Sequence, residues 1–288
     1  MDVVFQIVAN SIIAGSLYTL IASGFTLTYS TTKFFNITHG VMTAVGAYTV
    51  FFLGKILGMP LLLAIIVGVL FAGLLGWVLN YFIYQPLRKK NASQLSLLVA
   101  SLGAFTAIQA CISLAFSSQF QTISHTAVMQ KTFSIVGASV TQIQLIIVAS
   151  ALISFVSLTF FLKKTRFGTA IRAVSDDEEV AKVIGINTDK VIGIAFFIAS
   201  ALAGLAGILI GFDSAIEPTM GLALLMKGVT ASIVGGLTSI FGAVVGSFLV
   251  SFVENFGIFY TAGEWRDAIV FTLLIIFLMF RPNGIIRT

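Results

Sequence analysis

The chain has 288 residues, of which 58% are hydrophobic and only 9% charged, and its mean hydropathy is +1.07. An average soluble domain is about 25% charged, so the composition excludes an ordinary soluble protein and predicts one whose main solvent is lipid. The net charge of +5 could suggest nucleic-acid binding, but no basic and aromatic surface accompanies it. Basic loops that set membrane orientation explain the excess better.

Apolar runs along the chain predict membrane-spanning helices. Most runs exceed the ~20 residues that a helix needs to cross a ~30 Å hydrocarbon core, and backbone groups in lipid must be satisfied within their own segment. The predicted helices are about 3–29, 36–56, 60–84, 92–116, 142–162, 191–212, 240–257 and 265–281. A shorter apolar helix at about 222–236 either crosses the membrane fully or is re-entrant, which means that it enters and leaves on the same side. The predicted fold class is all-α: one transmembrane bundle over residues 1–288, with about eight spans plus this short helix.

The basic clusters predict the orientation. Cytoplasmic loops favour Lys and Arg, so the clusters at 88–90 and 163–166 should both be cytoplasmic, and the two intervening helices place segment 117–141 outside. The same count places Lys33 inside, and it places the amino terminus, Lys55, Asp213, Glu217 and His125 outside. Arg281 and Arg287 are cytoplasmic only if 222–236 crosses the membrane.

Glycine patterns predict close helix packing. Gly207 with Gly211, and Gly242 with Gly246, have the small-xxx-small spacing that lets helices approach each other. The expected role is packing within the subunit or against a partner. An internal repeat is also a prediction, since Gly40 to Ala47 and Gly236 to Ala243 share a Gly-x5-Gly-Ala pattern. Chance explains that match equally well in a chain with 26 glycines.

Polar residues in the first two helices are candidates for a translocation pathway. Polar side chains in lipid are expensive and usually face a bundle interior or a cavity. The candidates are Asn10, Asn36, Thr38, His39 and Gly40. The alternative, which we favour for Asn36 and His39, is a helix-start cap plus a buried hydrogen bond with which His39 joins two helices. The Asn-Ile-Thr-His-Gly spacing also suits an interrupted helix entry.

One charged island interrupts the apolar chain. Residues 163–190 hold eleven of the 27 Asp, Glu, Lys and Arg residues, and each charge at mid-bilayer costs about 2.5–3.5 kcal/mol. The island must therefore lie outside the lipid. Ser175 and Glu178 have the spacing of a capping box, Lys182 lies four residues after Glu178, and Gly185 is a natural stop. These signals predict a short capped helix after a helix at about 169–174.

On its residues alone the island is either a solvated loop that only fixes topology or a docking site for a soluble partner. A topology loop needs Lys and Arg, but it does not need four consecutive acids, a capped helix or a small apolar face. If a partner docks here, the residues expected to contact it are Ser175, Asp176, Asp177, Glu178, Glu179, Val180, Ala181, Ile184 and Gly185.

The island also carries a resemblance to a known family. The strings TRFGTAIRAV at 165–174 and IGINTDK at 184–190 resemble the cytoplasmic loop of branched-chain amino acid ABC transporter permeases of the LivH/LivM type. NITHG at 36–40 with GAY at 46–48, AGLAG at 203–207, the glycines from 235 to 246 and FRPNG at 280–284 are similar to other parts of that family. In its length and in the NITHG element, the chain resembles LivH more closely than LivM.

The resemblance implies a subunit of an ATP-driven importer. Its partners would be two cytoplasmic ABC ATPase subunits that dock on the island, a second permease subunit of the LivM type, and an external substrate-binding protein. The chain itself has no phosphate-binding Gly-x4-Gly-Lys-Ser/Thr loop, so ATP and Mg²⁺ would be bound by the ATPases and no cofactor by this chain. The location implied is the plasma or inner membrane of a bacterium or archaeon.

Other classes of function have less support. No catalytic or metal-binding pattern is found, and His39 and His125 are far apart, which disfavours an intramembrane enzyme. A stand-alone secondary transporter usually needs intramembrane ionisable residues, and the sequence indicates none at mid-span. The substrate stays open, because similar permeases also serve urea, short amides and other amino acids. Whether the second permease is a distinct chain or another copy is also open.

Overall fold

The protein is described from a computed structural model over residues 2–123, 131–135, 137–281 and 284–286. Within these ranges the α-helices are α1 (Asp2–Thr32), α2 (Thr38–Val50), α3 (Leu61–Leu79), α4 (Gln85–Lys89), α5 (Gln94–Phe116), α6 (Gln142–Lys164), α7 (Arg166–Asp176), α8 (Glu178–Val183), α9 (Thr188–Asp213), α10 (Met220–Gly235), α11 (Ile240–Tyr260) and α12 (Arg266–Phe280). Strands β1 (Thr132–Ile135) and β2 (Ala138–Thr141) form an antiparallel hairpin. The predictions for His125, Pro282, Asn283 and Arg287 fall outside the described residues.

The predicted helical bundle is confirmed. Six helical segments of the described chain are long and apolar enough to cross a membrane: Val3–Thr32, Leu61–Lys89, Gln94–Phe116, Gln142–Lys164, Thr188–Asp213 and Ile240–Tyr260. Helices α2, α10 and α12 are shorter. The predicted count of about eight spans therefore stays a prediction, whereas the all-α class holds apart from the small β-hairpin.

Contacts between loops define two ends of the bundle. At one end, Lys55 Nζ donates to the Thr122 carbonyl at 3.0 Å, and Gln121 pairs with Ile216 through backbone hydrogen bonds. At the other end, Lys33 Nζ donates to the Ser175 carbonyl at 2.8 Å. The loops are thus grouped as the basic clusters predict. The segment containing α10 runs from the Ile216 end to residues 236–240, which lie near Lys33, so it passes between the two ends.

Helix α2 begins inside the bundle. His39 Nε2 lies 3.0 Å from the carbonyl oxygen of Ile21, which is about three turns before the end of α1, or roughly 16 Å along its axis. Thr38 contacts Ser101, about two turns or roughly 10 Å into α5. Residues 33–37 therefore enter the bundle from the end that holds Lys33 and Ser175 before α2 starts. This is the interrupted helix entry that the sequence suggested.

Helix α3 continues further than the sequence predicts. We expected Gln85 and Pro86 to end it, but a π-helical turn at Asn80–Tyr84 leads directly into α4. Proline lacks the backbone N–H that the helical ladder uses, and a local change to wider π-type turns accommodates such a disruption. The helix therefore extends to Lys89, which places Arg88 and Lys89 near the charged island.

Helix α9 occupies the centre of the bundle, with buried residues along its whole length. At Gly207 an added Cβ would collide with the Thr43 backbone of α2. Gly242 and Gly246 lie against the backbone of α10, at Gly235 and at Ala231. Gly211 differs, because it faces the side chains of two loop residues, Ile123 and Ile216.

Candidate coupling loop and helix entry

Two short helices build the island, which we call the coupling loop (163–190). Helix α7 begins after Thr165, whose side chain accepts a hydrogen bond from the Gly168 amide at 3.0 Å. Its buried side chains Ile171 and Val174 join an apolar cluster with Leu162 of α6 and Ile192 of α9. Helix α7 is longer than the predicted 169–174, since this apolar face keeps it packed on the membrane helices.

The cap of α8 is Asp177, and the predicted cap Ser175 is wrong. The Asp177 carboxylate accepts hydrogen bonds from the amides of Glu179 and Val180 at 2.8 and 3.0 Å. Ser175 lies within the last turn of α7, where its hydroxyl bonds to Ser30. Asp and Ser are about equally good caps, so the length of α7 decides between them.

The remaining geometry of α8 follows the sequence. Lys182 Nζ lies 3.2 Å from Glu178 Oε1 and 2.8 Å from Glu179 Oε1, and the hydrogen bond that Lys182 donates to Glu179 is the main cause that raises the pKa of Lys182. Gly185 follows α8 with φ of +86°, a left-handed conformation that glycine adopts without steric cost. The acidic residues Asp176, Asp177 and Glu179 are all exposed.

An apolar face of α8 points away from the protein. The exposed fractions of Val180, Val183 and Ile184 are 57%, 86% and 67%, whereas Ala181 is buried against the bundle. Three large aliphatic side chains on one short helix at an aqueous surface are a small apolar patch ringed by charges. Such a patch is suited to a protein partner.

Basic residues of α4 bind the carboxyl-terminal end of the coupling loop. Asp189, in the first turn of α9, lies 3.2 Å from Lys89 Nζ and 3.8 Å from Arg88 Nη2. The guanidinium nitrogens of Arg88 are buried and have no hydrogen-bond partner among the described residues. This ion pair joins the start of α9 to the end of the α3–α4 helix.

The end of α7, in the middle of the coupling loop, is joined to α1 and to Lys33. Besides the bond from Lys33 to its carbonyl, Ser175 donates from Oγ to Ser30 Oγ at 3.2 Å. The last carbonyls of a helix lack partners within the helix, and lysine side chains commonly bind them. Sequence reasoning treated Lys33 only as a sign of topology and did not find this contact.

Four of the five pathway candidates meet where α2 begins. Thr38 Oγ1 lies 2.6 Å from Tyr84 OH and donates to the Ser101 carbonyl at 2.7 Å, and Tyr84 donates to Asn36 Oδ1 at 3.3 Å. The predicted helix-start cap by Asn36 is wrong, because Ile37 is the N-cap residue and no side chain caps the helix. Asn36 instead receives the Tyr84 hydroxyl, because the chain dips into the bundle here.

His39 joins α2 to α1 as the packing interpretation expected. Its Nε2 contacts the Ile21 carbonyl and its ring lies over Gly24, while its Nδ1 has no hydrogen-bond partner in the part of the chain that the structure describes. Gly40 lies against the backbone of Gly221 in α10, where an added Cβ would come within 2.6 Å of the Gly221 oxygen. Asn10 lies elsewhere, exposed and bonded to Gln6 at 3.0 Å.

The structure also contains a buried ion pair that the sequence reasoning missed. Lys227, in the middle of α10, lies 2.9 Å from Glu254 of α11, and Arg266 and Tyr18 also contact this carboxylate. The expectation of no ionisable residue at mid-span is therefore wrong. The signal was present, because each charge interrupts an otherwise apolar run. In the described residues no group of three or more His, Cys, Asp or Glu side chains could hold a metal ion.

The fold and the coupling loop define a multi-pass membrane protein of the permease class, with one structured aqueous loop. The comparison with protein families identifies the permease family to which the chain belongs. The family described as "Branched-chain amino acid transport system / permease component" matches residues 7–278, and the chain belongs to this family.

Similar curated proteins agree. The chain is 33% identical to the high-affinity branched-chain amino acid transport system permease protein LivH of Escherichia coli K12, over 96% of this chain and 93% of that protein. It is 30% identical to BraD, a permease of the same description from Pseudomonas aeruginosa, over 98% and 95%. It is also 30% identical to a probable LivH of Methanocaldococcus jannaschii, over 97% and 91%. No solved structure gives a significant match.

Proposed function

We propose that this chain is one permease subunit of an ATP-driven importer for branched-chain or related amino acids, in the plasma or inner membrane of a bacterium or archaeon. The observation that carries the proposal is the exposed apolar face of α8, presented by a capped helix at the end of the bundle where the basic loops gather. The relatives named above are described as branched-chain amino acid permeases, which supports the substrate class.

In this proposal the coupling loop is the docking site of a cytoplasmic ABC ATPase. Burying Val180, Val183 and Ile184 in a partner would contribute about 1.5–3 kcal/mol for each side chain, which suits a small number of anchoring residues. The two ATPase subunits bind ATP and Mg²⁺, and this chain binds no cofactor. Closure of the ATPases would move α7 and α8, and the ion pair of Asp189 with Lys89 would pass that movement to α9 and α4.

The remaining partners complete the transporter. A second permease subunit of the LivM type would form the other half of the pathway, and an external binding protein would deliver the amino acid. The helix entry around Asn36, Thr38, His39 and Gly40 would act as a moving part of the pathway wall, since α2 starts inside the bundle without a side-chain cap. Discontinuous helices are common at such positions in transporters.

One observation favours a second candidate, an ion-driven secondary transporter. The buried pair of Lys227 and Glu254 supplies the intramembrane ionisable groups that such a transporter needs. However, Glu254 is matched by two cations and by the Tyr18 hydroxyl, which is the arrangement of a structural ion pair.

Transport in proteoliposomes separates the two functions. The chain is reconstituted with its second permease and ATPases, and uptake of radiolabelled leucine is measured in the presence of the binding protein. The importer proposal expects that uptake needs ATP on the side of the membrane where the ATPases are. Replacing ATP with a non-hydrolysable analogue should abolish uptake. Uptake by the chain alone, driven by a proton or sodium gradient, would overturn it in favour of the second candidate.

A further inference from the structure

The structure points to Lys33 as a positioning residue that links the coupling loop to the buried start of α2. This inference rests on the proposed function, because it concerns how ATPase-driven movement of α7 reaches the membrane helices. In the described structure the hydrogen bonds of Lys33 go to Ser175 and Tyr29, and none joins it to a pathway candidate or to α8. Its role would be mechanical, through the residues that follow it.

Lys33 is held in an unusual place. It follows α1 directly and has φ of +56°, a left-handed conformation that costs residues other than glycine about 1–2 kcal/mol. Its ammonium group donates to the Ser175 carbonyl at the end of α7. Its amide donates to the Tyr29 carbonyl at 2.8 Å, so the residue is fixed to α1 on one side and to the coupling loop on the other.

A second hydrogen bond also joins the end of α7 to the end of α1. Ser175 Oγ donates to Ser30 Oγ, one turn before Lys33. Ser175 is thus bonded through both its backbone and its side chain to the last turn of α1. A displacement of the end of α7 therefore acts on α1 and Lys33 through two polar contacts as well as through the apolar cluster.

The chain after Lys33 is short and its far end is anchored. Only residues 34–37 separate Lys33 from α2, and a five-residue stretch spans at most about 17 Å when fully extended. The Ile37 amide donates to Ser101 Oγ at 3.1 Å, and Thr38 bonds to Tyr84 and Ser101. A shift of Lys33 is therefore passed to the first turn of α2, because this segment has little slack.

The surroundings leave room for that movement. A cavity of about 640 Å³ lies beside the contact, lined by Lys33, Ser175, Arg172, Asp176, Thr238 and the apolar Leu27 among others. The end of α7 is thus not packed against the turn between α10 and α11. The cavity leaves space beside the end of α7, while the buried Ile171 and Val174 keep α7 packed on the apolar cluster.

The test uses the complete transporter in proteoliposomes and measures leucine uptake and ATP hydrolysis together. Lys33→Ala is expected to lower the amount of leucine imported per ATP hydrolysed by about fivefold or more, while hydrolysis continues. Lys33→Arg should restore the ratio, since a guanidinium can donate to the same carbonyl. Lys90→Ala is the matched control, because it removes an exposed cytoplasmic lysine that has no ion pair in the described structure.

Ser30→Ala provides an independent variant in case Lys33→Ala does not fold. It removes the second bond to Ser175 and should lower the same ratio by about twofold. The link is overturned if Lys33→Ala folds and keeps the wild-type ratio, or if Lys33→Ala does not fold and Ser30→Ala keeps that ratio, because the link was inferred from both bonds to Ser175. This outcome differs from failure of the proposed function, in which the wild-type transporter itself would show no ATP-driven uptake.

Discussion

The Nζ atom of Lys227 lies 2.9 Å from Oε1 of Glu254, in a contact between α10 and α11 where Glu254 is almost completely buried. Arg266 approaches the same carboxylate oxygen at 3.1 Å, and Tyr18 donates to the other at 2.8 Å. An unpaired charge at this depth would be costly, so the cluster fixes the positions of α1, α10, α11 and α12 relative to one another.

Glu254→Gln should destabilise the protein strongly. It leaves the buried Lys227 and the half-exposed Arg266 without their carboxylate, and breaking a buried pair in this way typically costs about 3–5 kcal/mol. Thermal unfolding of the purified protein in detergent measures the effect. Asp267→Asn is the control, because Asp267 is mostly exposed and lies 3.6 Å from Lys227; equal melting temperatures for the two variants would contradict the structural role of Glu254.

Gly207→Ala should also destabilise the bundle. An added methyl group meets the Thr43 backbone of α2, which cannot move aside like a flexible side chain, and overpacking typically costs about 1–3 kcal/mol. Gly103→Ala tests the same substitution in α5, where no atom of the described residues lies within 4 Å of the added methyl group. It should be neutral or stabilising by up to about 1 kcal/mol. A loss of stability at Gly103 and none at Gly207 would refute the packing described for α9.

Tyr84→Phe tests the network at the start of α2. The lost hydroxyl bonds to both Thr38 and Asn36, which are buried, and leaving such groups unsatisfied costs about 1–3 kcal/mol. Tyr81→Phe on the same helix removes a hydroxyl from a side chain that is half exposed. We expect a lower melting temperature for Tyr84→Phe alone, and similar values for both variants would show that the network contributes little.

Asp177→Ala should loosen α8. The substitution removes the acceptor for the amides of Glu179 and Val180, and an N-cap contributes about 1 kcal/mol. Hydrogen exchange of these two amides should become about fivefold faster. Ser175→Ala should leave their exchange unchanged; the opposite pattern would mean that Ser175 caps the helix after all.

The sequence was sufficient for most of the long helices, though not for the continuation of α3 into α4, and for the general form of the coupling loop, because these depend on local patterns. Long apolar runs, the charges of residues 163–190 and Gly185 each have a direct structural meaning. The choice between Ser175 and Asp177 as the cap could not be made locally, since it depends on how Ile171 and Val174 pack. The pairs of Lys227 with Glu254 and of Lys33 with Ser175 join residues distant in sequence, and they follow only from the packing of whole helices.

The entry of residues 33–37 into the bundle shows the same limit. The sequence predicts a helix that ends near residue 29 and another that starts near Asn36, with a short connection expected on the cytoplasmic side. The depth at which α2 begins is set by its contacts with Ile21, Tyr84 and Ser101. None of these three residues is marked by a local pattern.

The measurement that tests the central claim most directly is ATP-driven leucine uptake by the complete transporter carrying Val183→Asp. Val183 is 86% exposed, so the change should leave the fold of this chain intact while placing a charge in the apolar face of α8. We predict that binding of the ATPase weakens by about tenfold or more and that uptake is lost, whereas Val183→Ile, which keeps the apolar face, retains both. Normal ATPase binding and uptake with Val183→Asp would contradict the account.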